Sequence, residues 1–413
     1  MRERYVLITD NCCECHNCFN ICNANAIAFV KDELGTSSAY VNVDKCINCK
    51  LCMKVCSGIN IAKLKLPTHS YAAVSKSNES VNSTSGGVFY ELANYIISKN
   101  GSVVGAAYDE NLNVVQKLIR DKESLTELQG SKYVKSDVSN SFNDTVKELQ
   151  QNKYVLYSGT PCQIASLYLY LNLKKVNFDK LITVDIICHG TPPAQIFQDS
   201  LKYLSSKKNG KIVSLTFRDK FFGHKLIGNY VLQRKYDKKK YKLYSSENSY
   251  YFFFLKGYLY NKVCYSCNYA QNKRLSDITI GDFWGIKNEL PLFFNNHSLD
   301  ENTSISSVMI NTSKGKQLFE KIEARLLYQS VKYEQIYKHN PQLNYPVNCD
   351  ENIRNLIIER YIKDGYSGVQ SIYNKTITIP QKYLLRFSSY IPIRLKNIIK
   401  NLLFKMRRIN HED

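Results

Sequence analysis

The residues best suited to chemistry in this 413-residue chain are its fourteen cysteines. Near the N-terminus, "CCECHNCFNIC" sets Cys12, Cys15, Cys18 and Cys22 in a C-x2-C-x2-C-x3-C run. "CINCKLCMKVC" repeats that spacing with Cys46, Cys49, Cys52 and Cys56. Three cysteines two residues apart wrap a tight loop around one cubane and give thiolates to three irons. The fourth, three residues on, starts a short helix and reaches the other cluster. The expected ligand sets are Cys12, Cys15, Cys18 and Cys56 for one 4Fe-4S cluster, and Cys46, Cys49, Cys52 and Cys22 for a second. Structural zinc sites use separated cysteine pairs, so this doubled run argues for clusters over zinc. The proline that often follows the fourth cysteine is replaced by Asn23 and Ser57. It shapes the turn and binds nothing, so little is lost. Cys13 falls out of register and reads as a spare thiol outside the loop.

A Cys-x-x-Cys pair, Cys264 and Cys267, lies in "NKVCYSCNYAQNKRLSDITIGDFWG" and is half a metal site. The other half is expected at two strand ends. "KYVLYSG" (153–159) reads as a strand running into "TPC" and a helical stretch. "LITVDIICHG" (181–190) is nearly all apolar, as a doubly covered parallel strand should be. Each ends in a cysteine within a tight turn, Cys162 and Cys188. Ligands of open α/β sheets sit beyond the carboxyl ends of parallel strands, so if these strands are neighbours the two thiols meet there. With Cys264 and Cys267 they make a third site, iron–sulfur in preference to zinc because the chain already carries two cluster runs. Only Cys13 and Cys349 are then left over. The plainer reading makes Cys162 and Cys188 buried apolar thiols and Cys264/Cys267 an exposed pair.

The elements that must position these groups alternate between strand and helix from residue 71. "YAAVS" (71–75) is a strand and "VNSTSGG" (81–87) a loop. "VFYELANYIIS" (88–98) is apolar on one helical face, and "SVVGAAY" (102–108) is a strand again. This βαβ-like unit puts a Gly/Ser loop at a helix N-terminus, where free N–H groups suit a phosphate, although an ordinary turn has the same composition. Arg274 could pair a phosphate bidentately or form a local ion pair with Asp277. His189, beside Cys188, is the candidate proton donor, although such a histidine often only hydrogen-bonds its turn.

Cysteine abundance with no apolar leader fits a reducing, cytoplasmic compartment, and no apolar run is long enough to span a membrane. The net charge of +20 is concentrated in two segments: residues 202–244 hold 13 Lys/Arg against 2 Asp/Glu, and residues 365–411 hold 9 against none. Residues 1–66 hold 8 against 6, too balanced for a zinc module that binds nucleic acid, so no nucleic-acid partner is expected. In "IRLKNIIKNLLFKMRRI", apolar residues at 395, 398, 399, 402, 403, 406 and 409 form a helical stripe flanked only by Lys and Arg. Residues 393–409 therefore fit a helix on an anionic membrane surface, at the inner face, or one docked on the protein's own core.

Taken in order, "STSGGVFYELA", "GSKYVKSD", "SGTPCQIASL", "ICHGTPP", "FRDKFFGH" and "CYSCNYAQNKRLSDITIGDFWG", behind the cysteine runs, resemble the coenzyme F-420 hydrogenase/dehydrogenase beta-subunit family over about residues 10–290. Residues 1–66 alone resemble a bacterial two-cluster ferredoxin. The resemblance implies an FAD-binding core with at least one iron–sulfur cluster. It implies FAD contacts at Ser85, Gly86, Gly87 and Lys132, and at Ser158, Gly159 and Thr160, with Arg274 and Asp282 as further site residues. Where the family's loop usually reads Gly-Trp, this chain has Gly223-His224. The fold class expected is an α+β ferredoxin-like module fused to an α/β flavin-binding core with a basic amphipathic C-terminal helix. The divisions are 1–66, 67–345 (parted near 150) and 346–413. The activity expected is electron transfer from a ferredoxin-type donor, through two 4Fe-4S clusters and a third, to FAD and on to an organic acceptor, with F-420 itself doubtful. Bacterial relatives often accompany surface-polysaccharide enzymes. The competing expectation is an electron-transfer subunit feeding a partner oxidoreductase, without a substrate of its own.

Overall fold

A computed structural model describes residues 5–138, 140–222, 226–300 and 303–388. Its centre is an eight-stranded mixed sheet. In chain order the strands are β1 (His69–Ser75), β2 (Ser102–Tyr108), β3 (Val114–Ile119), β4 (Val155–Gly159), β5 (Leu181–Ile186), β6 (Ile278–Asp282), β7 (Ser306–Ile310) and β8 (Leu326–Ser330). Across the sheet the order is β8-β1-β7-β6-β5-β4-β2-β3. β2, β4, β5 and β6 form a parallel run, and the remaining pairings are antiparallel. β5 is buried along its length except at Ile186, which is why its sequence is almost continuously apolar rather than alternating.

The βαβ-like unit read at residues 71–108 is an open one. Its helix, α1 (Val88–Ser98), joins β1 to β2, but four strands stand between them. Both edges of β1 are taken by β7 and β8 from the far end of the chain. α1 starts from Gly87 in a left-handed conformation (φ 81°), which glycine adopts without steric cost. α2 (Pro161–Leu173) follows β4 directly. Pro161 sits in its first turn, and a capping box has Gln163 Oε1 accepting from the Thr160 N–H at 2.9 Å.

The N-terminal segment is a three-stranded antiparallel sheet, Tyr5–Leu7, Ser37–Asn42 and Ile27–Lys31, with the middle range central. Two four-residue helices, Asn17–Asn20 and Leu51–Lys54, carry Cys18 and Cys52. Both cysteine loops hold left-handed non-glycine residues at the same places. Glu14 and His16 (φ 56° and 58°) flank Cys15, and Asn48 and Lys50 (φ 54° and 58°) flank Cys49. Such backbone is uncommon outside glycine, and here it is repeated in two loops of equal spacing.

A second small sheet, Lys211–Thr216, Ile227–Gln233 and Lys238–Tyr244, is antiparallel and carries exposed Lys238, Lys239 and Lys240 on one edge. The helices Glu351–Asp364 and Tyr366–Thr376 bury Ile357, Tyr361, Val369 and Tyr373 in one apolar cluster with Leu215, Phe217 and Phe253. The start of the expected C-terminal extension is therefore part of the body's core. The basic stripe at 393–409 lies outside the described residues, as does Gly223-His224. Among the described residues no helix is long and apolar enough to cross a membrane.

Candidate functional site

Two cavities adjoin beyond the carboxyl ends of the parallel strands. The larger, about 340 Å3, is reached by the loop before α1, the turn after β4, the segment Gly130–Ser136 and the end of β6. Of the residues expected to contact a flavin, Ser85, Gly87, Lys132, Ser158, Gly159, Thr160 and Asp282 line it, and so does His189. Burial lowers the His189 imidazole against the opposing pull of Asp282, so the ring is neutral at pH 7 and can offer one N–H. Burial also pushes the Lys132 ammonium down to about 7, opposed by Glu127. Its Nζ donates to the main-chain oxygens of Glu127 (2.9 Å) and Gln129 (2.8 Å).

Two expected contacts lie elsewhere. Gly86 does not line the cavity. Its N–H donates to Ser306 Oγ (2.9 Å), and a Cβ there would stand 2.3 Å from the Ala73 carbonyl oxygen. Close packing on β1 and β7 by itself requires a glycine here. Arg274 lines the smaller cavity and is locked in a buried ion pair with Asp185, Nη2 to Oδ2 2.8 Å, the side chains 2% and 0% exposed. Its partner is not Asp277, whose carboxylate is taken by the Thr183 N–H and hydroxyl and by the Thr312 hydroxyl.

The smaller cavity, about 40 Å3, is lined by Cys162, Cys188, Cys264 and Cys267, the four cysteines grouped by sequence, and also by Cys13. It shares Lys135, Thr160, His189 and Thr191 with the larger one. Burial pushes the Cys188 thiol up to about 12 and the Cys264 thiol up to about 11. These groups are protonated at neutral pH, and a metal centre bound here would displace the protons. Among the described residues, no three Cys, His, Asp or Glu side chains converge closely enough for a single metal ion. A cubane asks something different, since each thiolate binds a different iron. Four cysteines around one small cavity fit that donor set. The larger cavity also fits a polar, partly aromatic ligand: Gln116 Oε1, Gln129 Oε1 and Arg218 Nε are buried on its wall without hydrogen-bond partners, alongside Phe89, Phe254 and Trp284.

In the N-terminal segment, the thiols acting on Cys18 are those of Cys12, Cys56 and Cys52, and those acting on Cys52 are Cys46, Cys49 and Cys22. Cys56 thus lies by the first run and Cys22 by the second. Cys46 and Cys49 are exposed, whereas Cys15 and Cys18 are buried.

Three residues of the site went unassigned in sequence. Arg218, 3% exposed, forms a two-pronged pair with Asp282 (Nη2 to Oδ1 3.3 Å) and stands over the Trp284 ring at 5.7 Å. It lies in the "FRDKFFGH" stretch, and Trp284 is the only tryptophan, but nothing local to 218 points to residue 282. Lys135, which follows Lys132 closely in the same segment, is the buried cation between the cavities. Burial opposes its charge, but the Cys162, Cys13, Glu14 and Cys264 groups outweigh it and raise the ammonium. Cys13, read as a spare thiol outside the loop, is buried at the junction of the N-terminal segment and the body.

Residues 152–335 match the family model that describes the C-terminal part of the beta subunit of coenzyme F420 hydrogenase/dehydrogenase. No curated protein matches the chain. Among solved structures, one chain of the F420-reducing [NiFe] hydrogenase complex from Methanosarcina barkeri, in a xenon-derivatised form, aligns over 77% of this chain and 96% of its own, with 15% identity and a TM-score of 0.43. That likeness is too slight to carry an inference.

Proposed function

We propose the following from one premise, that the chain belongs, through residues 152–335, to the coenzyme F420 hydrogenase/dehydrogenase beta-subunit family: it is an iron–sulfur flavoprotein oxidoreductase. Membership of that family supports the broad role, electron transfer in an oxidoreductase. The finer reading adds a ferredoxin-like module over residues 1–66, FAD in the larger cavity, a third 4Fe-4S cluster in the smaller, and an organic acceptor. The observation that carries this reading is the shared wall. Four cysteines drawn from residues 162–267 face one cavity, and Lys135, Thr160, His189 and Thr191 face both it and the larger one.

When bound, the clusters supply one-electron steps, and the flavin joins one-electron to two-electron chemistry. The chain's own residues hold and orient. Gly87 opens α1 toward the larger cavity, so the N–H groups of its first turn can meet an anionic ligand group. Lys132 stands on the same wall, where an anionic ligand group would favour its charged form against the burial that lowers it, and Thr160 caps α2 where β4 ends. Asp282 fixes Arg218, whose buried Nε–H is left to orient a carbonyl or anion on the acceptor. His189 is neutral and lies where a proton must be exchanged if a hydride equivalent leaves the cavity. Phe89, Phe254 and Trp284 exclude water from the remaining wall.

The test is anaerobic purification of the full chain, with a visible spectrum, metal analysis and extraction of bound flavin. A brown protein with flavin bands, about twelve irons and one FAD per chain is expected from three 4Fe-4S sites. A colourless protein holding zinc and no flavin would overturn the reading. A reduced carrier of ferredoxin type, supplied with a panel of two-electron acceptors, then identifies the acceptor.

A further inference from the structure

The two N-terminal cysteine loops are one structure built twice. Their short helices, Asn17–Asn20 and Leu51–Lys54, end alike, with the Ile21 and Val55 N–H groups donating back to the Asn17 and Leu51 carbonyls. Their left-handed residues also match, Glu14 with Asn48 and His16 with Lys50. Aligned on the cysteines, Cys13 corresponds to Ile47 and Asn17 to Leu51.

The two copies have opposite surroundings. The first loop is packed on the body: Cys13 is 8% exposed, and the fully buried Asn17 donates to the Ser166 carbonyl of α2 at 2.8 Å. The same face of the second loop is open to solvent. Val43 through Lys50 are exposed without a break, and Ile47, in the place that Cys13 takes in the first loop, is 70% exposed. Met53 is exposed beside it in sequence, and Asn60 ties the segment carrying exposed Ile59 and Ile61 to this helix by donating to the Met53 carbonyl at 2.6 Å. The charge differs as well. Asn11, His16 and Asn20 of the first loop are replaced in the second by Lys45, Lys50 and Lys54, all exposed, and Asp44 is the only acid from Val43 to Leu66.

Apolar side chains among charges of one sign suit a partner of the opposite sign. A second copy of this chain fits poorly, since a two-fold contact through this face would set lysine against lysine. An anionic membrane would match the charge. What favours an electron-carrying protein is that Cys46 and Cys49, both exposed, alternate along the chain with Lys45, Ile47 and Lys50, so a centre held by those sulfurs lies next to whatever docks. We propose that the face carrying Lys45, Ile47, Lys50, Met53 and Lys54 docks a small acidic one-electron carrier protein, and that electrons enter the chain at the second cysteine run. Each passage moves one electron: the carrier is oxidised as this chain is reduced, and no bond forms or breaks. This rests on the cluster reading above and adds where the carrier binds and what holds it.

The test is equilibrium binding of the full, anaerobically purified chain to an acidic plant-type 2Fe-2S ferredoxin as probe, at low and high salt, with iron measured first in every variant. Replacing Lys45, Lys50 and Lys54 together by glutamine should weaken binding roughly tenfold at low salt, a difference that fades at about 0.5 M salt. Ile47→Ala, at a position too exposed to unfold the chain, should weaken it roughly tenfold at either salt. Replacing Lys238, Lys239 and Lys240 by glutamine removes the same charge from the other basic edge and should leave binding unchanged. Equal losses from the two triple variants would mean attraction to net charge alone and overturn the docking face. So would an iron-loaded wild-type chain that does not bind the probe. A Lys45/Lys50/Lys54 variant that still binds the probe but has lost binding to anionic vesicles, or has lost a wild-type dimer in sedimentation, would assign the face to a membrane or to a second copy and overturn it too. A wild-type chain without iron would instead remove the underlying cluster reading, and that is seen before any variant is made.

Discussion

Replacing Arg274 with methionine separates a structural cation from a ligand-binding one. Arg274 and Asp185 are 2% and 0% exposed, with Nη2 and Oδ2 2.8 Å apart. The guanidinium also donates from Nε to Thr279 Oγ1 (3.3 Å) and from Nη1 to the Tyr269 carbonyl (3.4 Å). Asp185 Oδ1 already lacks a hydrogen-bond partner. Removing the arginine strands a buried carboxylate next to the carboxyl end of a central parallel strand. Breaking a buried pair from one side costs about 3–5 kcal/mol, against total stabilities of about 5–15 kcal/mol for a folded domain. Urea unfolding followed by Trp284 fluorescence and by circular dichroism should show that loss. Asp185→Asn in the same background should regain part of it, because the stranded charge goes. The reasoning fails if Arg274→Met shifts stability by less than about 1 kcal/mol, below the range for breaking such a pair. It also fails if the variant keeps its unfolding midpoint and loses only flavin, which would return Arg274 to the ligand.

Gly86→Val should leave little soluble protein, since even a Cβ would stand 2.3 Å from the Ala73 carbonyl oxygen and 2.7 Å from the Ser306 nitrogen. A folded variant lacking only flavin would put Gly86 back in the site. Burial alone would raise the Glu148 carboxyl, but hydrogen bonds from Arg120 and Ser102, with the Arg120 charge, outweigh it and hold it at about 2. A depressed carboxyl stabilises above its unfolded value of about 4.3 and loses that contribution as pH falls toward its folded one. Stability should therefore drop between about pH 5 and 2, and Glu148→Gln should flatten that limb in acid titrations of the melting temperature. Cys264→Ser should lower iron by about one cluster, four irons, and leave the N-terminal pair; if zinc alone is lost, the smaller cavity is a zinc site.

Periodicity and spacing located the elements closely. The helix read at 88–98 has those bounds, and the strands read at 153–159 and 181–190 are neighbours in a parallel run. Cys162 and Cys188 consequently share a cavity, because both follow from chain direction and strand ends. Partnership across long separations was not legible. Asp277 is three residues from Arg274 and was the natural partner on local grounds, yet Asp185, 89 positions away, holds it through the β5–β6 pairing. At Gly86 the packing against Ala73 and Ser306 was not legible, since one sequence cannot distinguish room for a ligand from room for a neighbouring strand. Cys13 was set aside because register within a motif says nothing about what packs over it from the body.

The parts of the smaller cavity come together at different times. Each N-terminal cysteine group is drawn from a short stretch of chain, whereas the smaller cavity needs residues 162, 188, 264 and 267, then Cys13 closing over them from the other end of the sequence. The N-terminal segment is sealed on by buried polar contacts, Asn17 to Ser166, Thr36 to Asn261 and Tyr269 to Ser57, and by the paired main chains of Lys65 and Arg274. An inorganic centre in that cavity has its clearest route in before this seal forms. If the smaller cavity holds such a centre, assembly would follow an order: the body collapses, the centre is delivered, and the N-terminal segment, although synthesised before the body, docks after it.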